Sequence, residues 1–431
     1  MVVHHLMGAP MSLMSKPNIL VLGGGFGGLE AAFYLRWRLR ERADLTLISD
    51  RHRFLFKPNT IYIPFRLDPE KLTISLDHPT RRKGITFVQA QAREIDPVAK
   101  RVRTEERDFS YDYLVVATGA TMRPQEVPGL VEHAETIWTP QAMLSLRAAF
   151  ARLLADARSG ARRRVLFLVP PNNKCAGPLY EMVFMLDTWL HRNQGRSAVD
   201  ITWSTYEASF IQAFGPRLHD VVVGEFARRG ITGHPNYAVD RIERGEVRYQ
   251  NGKTLPYDLL VSFPPYIAAT AFPGLPQDER GFLQTDPTTR QVLKHREIYA
   301  VGDAGDFPVK QAFLAFLQAD TAAERIAAEV LGGRARAVFD PVSMCVMEQF
   351  DTATFAQVPL RLTGRPERPL EVRRDRDGLY RVGSSPAWRL GKKLLGVYLP
   401  WRFRAGNPFH AGLPWRGMEL GLKAMARMLA A

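Results

Sequence analysis

Residues 18–35 carry the sequence NILVLGGGFGGLEAAFYL, which decides the fold of this 431-residue chain. The run NILVL has the length of a buried strand, and LEAAFYL consists of strong helix formers at helical spacing. Between them, Gly23, Gly25 and Gly28 match the pattern G-x-G-x-x-G, whose glycines permit a tight turn, phosphate approach and close helix packing. The N-terminus of the helix then presents unpaired N–H groups to the phosphates. The stretch therefore predicts a dinucleotide-binding strand–turn–helix unit.

A second strand, Leu45–Ser49, supports this interpretation because it ends at an acidic residue. Asp50 follows it directly, 22 residues after Gly28. In dinucleotide-binding units an acid at about this distance accepts hydrogen bonds from the ribose hydroxyls. We therefore expect Asp50 to contact the adenosine ribose of the bound dinucleotide.

The chain repeats part of its own pattern. A charged, hairpin-like stretch precedes Tyr111-Asp112-Tyr113-Leu114-Val115-Val116, and a similar stretch precedes Tyr257-Asp258-Leu259-Leu260-Val261. Such self-similarity indicates a duplicated unit. We predict an α/β fold with two Rossmann-like dinucleotide-binding domains, the second inserted in the first, and a C-terminal region. The expected boundaries are 17–160 with 265–335 for the first domain, 161–264 for the second and 336–431 for the C-terminal region.

The second unit lacks a glycine turn. Its first strand, Arg164–Val169, is followed by Pro170-Pro171-Asn172-Asn173-Lys174-Cys175. Two prolines remove backbone donors and fix φ, so this turn is unsuited to a pyrophosphate. We expect no nicotinamide site here and an electron donor other than NADH.

Cys175 stands in place of that turn, before a helix predicted at about Leu179–His191. A thiol near a helix N-terminus has a lowered pKa and becomes reactive. The alternative is a buried cysteine that serves as an inert small apolar residue. Cys345 is the only other cysteine, which excludes a disulfide scaffold and a cysteine-rich metal site. We expect no metal.

Composition sets limits on location and partners. Hydrophobic residues make up 46% and charged residues 24%, as in globular proteins, and no apolar run is long enough to span a bilayer. The first twenty residues lack the apolar segment of a secretory signal, so we expect a cytoplasmic protein. The net charge is +14, and residues 361–431 hold fifteen Lys/Arg against five Asp/Glu. This charge suits an anionic membrane surface or a solvated basic face; without a recognition module, nucleic acid is not an expected partner.

Two later segments resemble the two-domain flavoprotein disulfide reductases. Tyr111–Ala120 (YDYLVVATGA) is a strand ending in a Thr-Gly turn, and Ile298–Asp306 (IYAVGDAGD) is a strand followed by a Gly-Asp pair. In that family the aspartate of the pair binds the ribityl chain and pyrophosphate of FAD, which implies this role for Asp303. The resemblance extends the FAD-binding set to Ala92, Gly119, Gly302 and Lys310. Asp303 is also suited to cap a helix.

A narrower resemblance is to the sulfide:quinone oxidoreductases. Residues 174–181 (KCAGPLYE) are similar to the segment with one redox cysteine and, six residues on, a glutamate. Cys345 occupies the place of the second redox cysteine, after a helix expected at Gln311–Leu331, and residues 391–406 resemble a membrane-contacting segment. The resemblance implies a Cys175–Cys345 pair beside the flavin, Lys310 stabilising the reduced ring and Glu181 handling protons. It implies sulfide and quinone as substrates, and it is compatible with a homo-oligomer.

The chain departs from that family at two places. Residues 135–141 (ETIWTPQ) lack the third cysteine and nearby histidine that many members have, and residues 209–216 (SFIQAFGP) lack a second histidine. These differences leave open how the chain would handle polysulfide. They leave the two-cysteine core intact.

The tail has a helical apolar stripe, which predicts contact with a membrane. Its members recur at 3-4-3-4 spacing with basic residues off that face, and they are Trp415, Met418, Leu422, Met425 and Leu429. Basic amphipathic helices that carry tryptophan lie in the plane of the membrane interface. A quinone acceptor suits this location. The alternative is that the stripe packs on the protein's own core or on a partner subunit.

Three other functions remain open. A type II NADH dehydrogenase shares the expected fold, but it needs a glycine turn after Val169. A flavocytochrome-type sulfide dehydrogenase would need an export signal and no such tail. A flavin-bound redox sensor would use the two cysteines without catalytic turnover.

Overall fold

The computed structural model describes residues 16–365 and 368–430. The first part of the chain alternates short strands and helices. Its elements are β1 (Asn18–Leu22), α1 (Phe26–Leu39), β2 (Asp44–Ser49), β3 (Arg53–Leu55), β4 (Thr73–Ser75), α2 (Asp77–Arg82), β5 (Thr86–Gln89), β6 (Ala92–Asp96), β7 (Arg101–Thr104), β8 (Asp108–Ser110), β9 (Tyr113–Val116), β10 (Ala120–Met122), α3 (Leu130–His133) and β11 (Ala134–Thr136).

The middle of the chain repeats this alternation, and the end adds a sheet and two helices. The middle elements are α4 (Pro140–Arg158), β12 (Arg163–Val169), α5 (Gly177–Arg192), β13 (Val199–Thr205), α6 (Gly215–Arg229), β14 (Ile231–His234), β15 (Val239–Glu243), β16 (Glu246–Tyr249), β17 (Thr254–Pro256), β18 (Leu259–Ser262) and β19 (Tyr266–Ala268). The last are β20 (Ile298–Ala300), α7 (Ala312–Val330), β21 (Val342–Glu348), β22 (Ala353–Leu362), β23 (Leu370–Val372), β24 (Arg381–Ser385), α8 (Pro386–Arg404) and α9 (Gly412–Leu429).

Two five-stranded parallel sheets form the two domains. The first has the order β20-β9-β1-β2-β5 and the second β11-β18-β12-β13-β14. Their central strands are almost wholly apolar and buried because helices cover parallel sheets on both faces. The antiparallel pair β10-β19 connects the domains. This arrangement confirms the α/β class with two Rossmann-like domains.

The duplication extends to single hydrogen bonds. In the first domain, Asp112 accepts from the N–H of Asn18 at 2.7 Å and returns its own N–H to the Asn18 carbonyl at 2.8 Å. Asp258 makes the same two contacts with Arg164 in the second domain, at the same distances. Each domain also carries a three-stranded antiparallel meander, β6-β7-β8 or β15-β16-β17. Both units therefore share one plan, and their turns can be compared position by position.

The boundaries between these units stay a prediction. The second sheet includes Ala134–Thr136, which precedes the expected boundary at residue 161. The expectation of a cytoplasmic protein rests on the first twenty residues of the sequence. Of these, residues 1–15 lie outside the described part of the chain.

The C-terminal region is an antiparallel sheet covered by two helices. Strands β21, β22, β23 and β24 form the sheet, with β22 paired to the other three. Helix α8 begins at a Ser385 cap and buries Trp388, which stacks on Phe355 with ring centroids 4.1 Å apart. Among the described residues, no helix is long and apolar enough to cross a membrane.

The apolar stripe on α9 packs on the protein's own core, which is the alternative to membrane contact that its spacing leaves open. Leu422 is buried against the sheet, and the other four members pack with it around Trp388 and Phe355. An amphipathic helix requires an apolar surface to cover, and here the sheet provides it. Other apolar residues of α8 and α9 are exposed instead: Leu390, Leu394, Val397, Trp401, Leu413, Leu420 and Met428.

Candidate functional site

The first glycine turn has the geometry that its sequence predicts. Gly23 adopts φ +106° and donates its N–H to the Ile48 carbonyl of β2 at 2.7 Å, which ties the start of the turn to the sheet. A Cβ on Gly28 would lie 1.8 Å from the Gly23 carbonyl oxygen, so only glycine fits there. A Cβ on Gly25 would meet nothing within 4 Å. The backbone at Gly25 is thus open on the side where a pyrophosphate approaches, beside the N-terminus of α1.

The other residues expected to bind the dinucleotide lie mainly along the same edge of the first sheet. Asp50 is exposed just after β2. Gly119, after β9, has φ +79° and nothing within 4 Å of a Cβ position, while Gly302, after β20, has φ +63° and packs closely against α7. Ala92 begins β6, and its side chain is buried in the core. The carboxyl ends of parallel strands form the ligand-binding edge of such sheets.

Asp303 carries the negative charge at this edge. It is partly exposed in the short turn between β20 and α7. Desolvation raises its pKa, and the positive charges of Lys310 and Lys57 oppose that shift. The Asp303 carboxyl group therefore lies near two cations, Lys310 and Lys57, which stabilise its negative charge.

The second turn is filled by its own side chains. Asn172 adopts φ +63° and donates its side-chain amide to Glu126. Asn173 is buried, accepts the Cys175 N–H at 3.0 Å and donates to the Phe263 carbonyl at 2.9 Å. The backbone N–H groups of Asn173 and Cys175 thus donate within the turn itself, to the Pro170 carbonyl and the Asn173 side chain.

Both cysteines are free thiols, and both are partly exposed. Cys175 precedes α5, and Cys345 lies on β21. They are close enough that a negative charge on Cys345 raises the pKa of Cys175. The fold has brought together two residues that stand 170 positions apart in the sequence.

The expected lowering of the Cys175 pKa is wrong. Desolvation by burial raises its pKa strongly, and Cys345, Asp303 and Glu181 add to the rise, whereas a contact with the Gly177 N–H lowers it only in part. Burial also raises the pKa of Cys345 to about 12, with Glu181 raising it further and Lys392 lowering it. A helix terminus contributes roughly 1 kcal/mol, which is less than the cost of burying a charged group.

Glu181 belongs to a buried ion pair that reaches the C-terminal helix. Its carboxylate accepts the Glu348 N–H at 2.7 Å and forms a salt bridge with Lys392 of α8. Burial raises the pKa of Glu181, and Lys392 lowers it. Next to this pair, the fully buried Glu348 contacts Arg389 at 2.7 Å and the Tyr62 hydroxyl at 2.9 Å. Helix α8 thus places two cations beside the acids that border Cys345.

Lys310 connects the cysteine segment with the Asp303 turn. Its side chain is buried, donates to the Gly305 carbonyl and lies 3.8 Å above the Phe282 ring. Its backbone N–H donates to the Lys174 carbonyl at 3.2 Å. Burial lowers its pKa to about 7, which Asp303 opposes. A lysine of this kind can exchange a proton near neutral pH.

Sequence reasoning missed three residues at this site, namely Lys57, Trp138 and Lys392. The Lys57 ammonium lies 3.3 Å from the centroid of the Trp138 ring, and burial lowers its pKa to about 8. Trp138 packs against Tyr266, whose centroid is 5.6 Å away. Lys392 forms the salt bridge with Glu181, whereas the sequence indicated only the whole segment 391–406. No local pattern marks Lys57, because its partners lie far along the chain.

Together these groups provide two coupled thiols, a buried carboxyl group and cations beside an edge suited to a dinucleotide. Such an arrangement can exchange thiols and disulfides and stabilise negative charge.

Comparison with known proteins identifies relatives of this chain. Residues 17–153 match the family model described as pyridine nucleotide-disulphide oxidoreductase. The chain is 23% identical over 313 residues to a mitochondrial sulfide:quinone oxidoreductase of Dictyostelium discoideum, covering 69% of this chain and 68% of that one. It is 31% identical over 245 residues to the sulfide-quinone reductase of Aquifex aeolicus, covering 55% of each.

A solved structure extends the similarity to almost the whole fold. The sulfide:quinone oxidoreductase of Aquifex aeolicus superposes with a TM-score of 0.80 at 23% identity, over 94% of this chain and 96% of that one. The chain is therefore similar to the pyridine nucleotide-disulphide oxidoreductases over residues 17–153, and it shares its fold with the sulfide:quinone oxidoreductase of Aquifex aeolicus over almost its whole length.

Proposed function

We propose that this chain is an FAD-dependent sulfide:quinone oxidoreductase in which Cys175 and Cys345 form the redox pair. One observation carries the proposal: the turn that would bind a second nucleotide instead holds Cys175, which is coupled to Cys345 and lies near Asp303. The substrate class rests on the names of the related proteins.

The residues along the first sheet fit FAD. The open backbone at Gly25 suits the pyrophosphate, exposed Asp50 suits the ribose hydroxyls, and Asp303 suits the ribityl chain. When bound, FAD accepts two electrons from thiolates and passes them to an acceptor. Lys310, whose pKa is about 7, holds a proton more firmly when negative charge develops beside it and so stabilises that charge.

The cysteines carry the sulfur chemistry. In the oxidised protein their sulfur atoms share a bond; hydrosulfide attacks Cys175, which becomes a persulfide, and Cys345 leaves as a thiolate. The terminal sulfur of the persulfide and the Cys345 thiolate would then form a trisulfide, and the two electrons that this bond formation frees would be the pair for which bound FAD is the acceptor. The buried carboxyl group of Glu181 borders Cys345 and takes up the proton that hydrosulfide loses.

The acceptor side of the proposal rests on α8. Leu390, Leu394, Val397 and Trp401 recur at helical spacing and are all at least half exposed, with Lys393 and Arg404 also exposed. Such a surface suits the interface of an anionic membrane, from which a quinone can reach the site. The protein is then a peripheral membrane protein on the cytoplasmic side.

The decisive experiment is anaerobic reduction of the purified protein, followed by the visible absorbance of its flavin. Sulfide at micromolar concentration should bleach the flavin and support reduction of a soluble quinone, whereas millimolar NADH should not. Either Cys175→Ser or Cys345→Ser should lower sulfide-dependent quinone reduction by about 100-fold or more, because residues acting as a unit fail singly.

Met344→Leu is the matched control, since it changes the neighbour of Cys345 on the same strand and should keep full activity. Rapid bleaching by NADH would favour the type II NADH dehydrogenase. Sulfide oxidation that needs a cytochrome acceptor would favour the flavocytochrome type. Cysteine oxidation without turnover would favour a redox sensor.

A further inference from the structure

A lysine and a tryptophan that are far apart in the sequence form a contact that the proposed function leaves without a role. Lys57 begins a short 3₁₀ helix, Lys57–Phe65, after β3, and Trp138 follows β11 at the carboxyl end of the second sheet. The Lys57 ammonium lies 3.3 Å from the centroid of the Trp138 ring, whose face attracts cations. The contact thus fixes a positive charge beside the end of the second sheet.

The Lys57 ammonium has unused hydrogen-bond donors. An ammonium offers three N–H donors, and charged groups that are taken from water normally find partners. Glu30 of α1 shows the usual arrangement: it is completely buried, and its two oxygens accept the backbone N–H groups of Phe409 and His410. In the part of the chain that the structure describes, the Lys57 ammonium makes no hydrogen bond or salt bridge, and the Trp138 ring covers one side of it. Its donors are therefore available to an anionic group that enters the site.

The charges around Lys57 lie along the edge proposed for FAD. Burial lowers the pKa of Lys57 to about 8, Asp303 opposes that shift, and Arg51 adds to it. Asp303 follows β20 and is suited to the ribityl chain, whereas Arg51 follows β2 next to Asp50, which is suited to the ribose. Because both charges act on the ammonium, Lys57 lies beside the dinucleotide-binding edge of the first sheet.

Trp138 connects this edge with the thiols. Its ring packs edge-to-face against the ring of Tyr266, with centroids 5.6 Å apart. Tyr266 is buried; desolvation raises its pKa, and negative charge on Cys175 and Asp303 raises it further. Tyr266 is therefore near both the thiol and the acid. Lys57 thus lies toward the part of the cofactor edge that meets the thiol, and electrons must be exchanged there, whereas the pyrophosphate approaches at the glycine turn.

We propose that Lys57 is a further cofactor-binding residue, whose ammonium, held on Trp138, stabilises the negative charge that reduction places on the bound flavin. The inference rests on the FAD binding of the proposed function. A fixed positive charge that pairs better with the reduced form than with the oxidised form raises the reduction potential. Lys310 is held over a different ring, that of Phe282, so the two lysines contribute their charges independently.

The test is the midpoint potential of the full-length, flavin-loaded protein, measured by spectroelectrochemistry with mediator dyes and without sulfide or quinone. Lys57→Met should shift the reduction equilibrium by about tenfold toward the oxidised flavin, which lowers the potential of a two-electron couple by about 30 mV. Lys57→Arg keeps a charge that also stacks on tryptophan, and it should stay within about threefold of the wild type. Trp138→Leu should shift the equilibrium in the same direction as Lys57→Met but by less, because the ammonium keeps its charge and loses its support.

Lys71→Met is the matched control, because it removes an exposed lysine from the same part of the chain and should leave the potential unchanged. A wild-type potential in Lys57→Met would overturn the proposal: with a lower Tm the contact only supports packing, and with weaker FAD binding the ammonium serves the pyrophosphate. Because no sulfide enters the measurement, equal potentials defeat this inference alone. Wild-type protein that binds no flavin after reconstitution would defeat the proposed function with it.

Discussion

The two nucleotide-type turns of this protein occupy the same position in two copies of one plan. The turn at Gly23–Gly28 is held by backbone geometry and leaves open space beside Gly25. The turn at Pro170–Cys175 is held by the side chains of Asn172 and Asn173 and uses the same place to present a thiol. The difference shows that a duplicated fold changes its chemistry by exchanging backbone donors for side chains in one turn, while the sheet around it stays the same.

The largest effect should come from closing the open turn. Gly25→Val points a branched side chain into the space where the pyrophosphate approaches, and because nothing else lies within 4 Å the protein should still fold. We expect a folded but colourless protein, measured by flavin absorbance and circular dichroism. Gly224→Val, at an open position on α6, is the control and should stay yellow. Full flavin content in Gly25→Val would refute the role of this turn.

A smaller effect should follow from loosening the filled turn. Asn173→Ala removes the acceptor of the Cys175 N–H and the donor to Phe263 inside a buried segment. Unmade buried hydrogen bonds cost about 1–3 kcal/mol, so denaturant unfolding should show a loss of that size in the free energy of unfolding. Asn251→Ala, in an exposed turn, should change it by less than about 0.5 kcal/mol. Equal effects of the two variants would mean that Asn173 does not hold the turn.

The smallest effect concerns the reactivity of Cys345, the thiol that lies near Cys175 of the second turn. Lys392 lowers the pKa of Cys345, so Lys392→Met should raise that pKa above its value of about 12. The thiolate fraction then falls at any pH below the pKa, and alkylation of Cys345 by iodoacetamide should slow, with its pH profile moved to higher pH. Lys393→Met is the matched neighbour, exposed on α8, and should leave the profile in place. A slower reaction in both variants would indicate a general charge effect.

Local patterns were sufficient for most of the fold. The apolar run and glycines at 18–28 predict β1 and α1 closely, because strand, turn and helix are set by neighbouring residues. The dinucleotide-binding edge of the first sheet is also predictable, because a parallel sheet places the carboxyl ends of its strands side by side. The stripe on α9 shows the limit of this reasoning: spacing predicts that one face is apolar, but the positions of the C-terminal sheet and of Trp388 determine what covers it.

The site chemistry was less predictable for a similar reason. The pKa of Cys175 depends on burial by residues far away in the sequence, which outweighs the helix terminus beside it. Lys392 meets Glu181 across 211 positions, and Lys57 meets Trp138 from another element. A single sequence contains no signal for such encounters.

The contact between Glu30 and the Phe409 N–H can form only near the end of synthesis. The two residues are 379 positions apart, so α1 leaves the ribosome long before its hydrogen-bond donors exist. At about 5–20 residues per second, the wait is roughly 20–75 s. During that interval a buried carboxyl group in the first helix lacks its final neighbours. A chain that stops before residue 409 therefore lacks both N–H groups that the Glu30 carboxylate accepts in the complete fold.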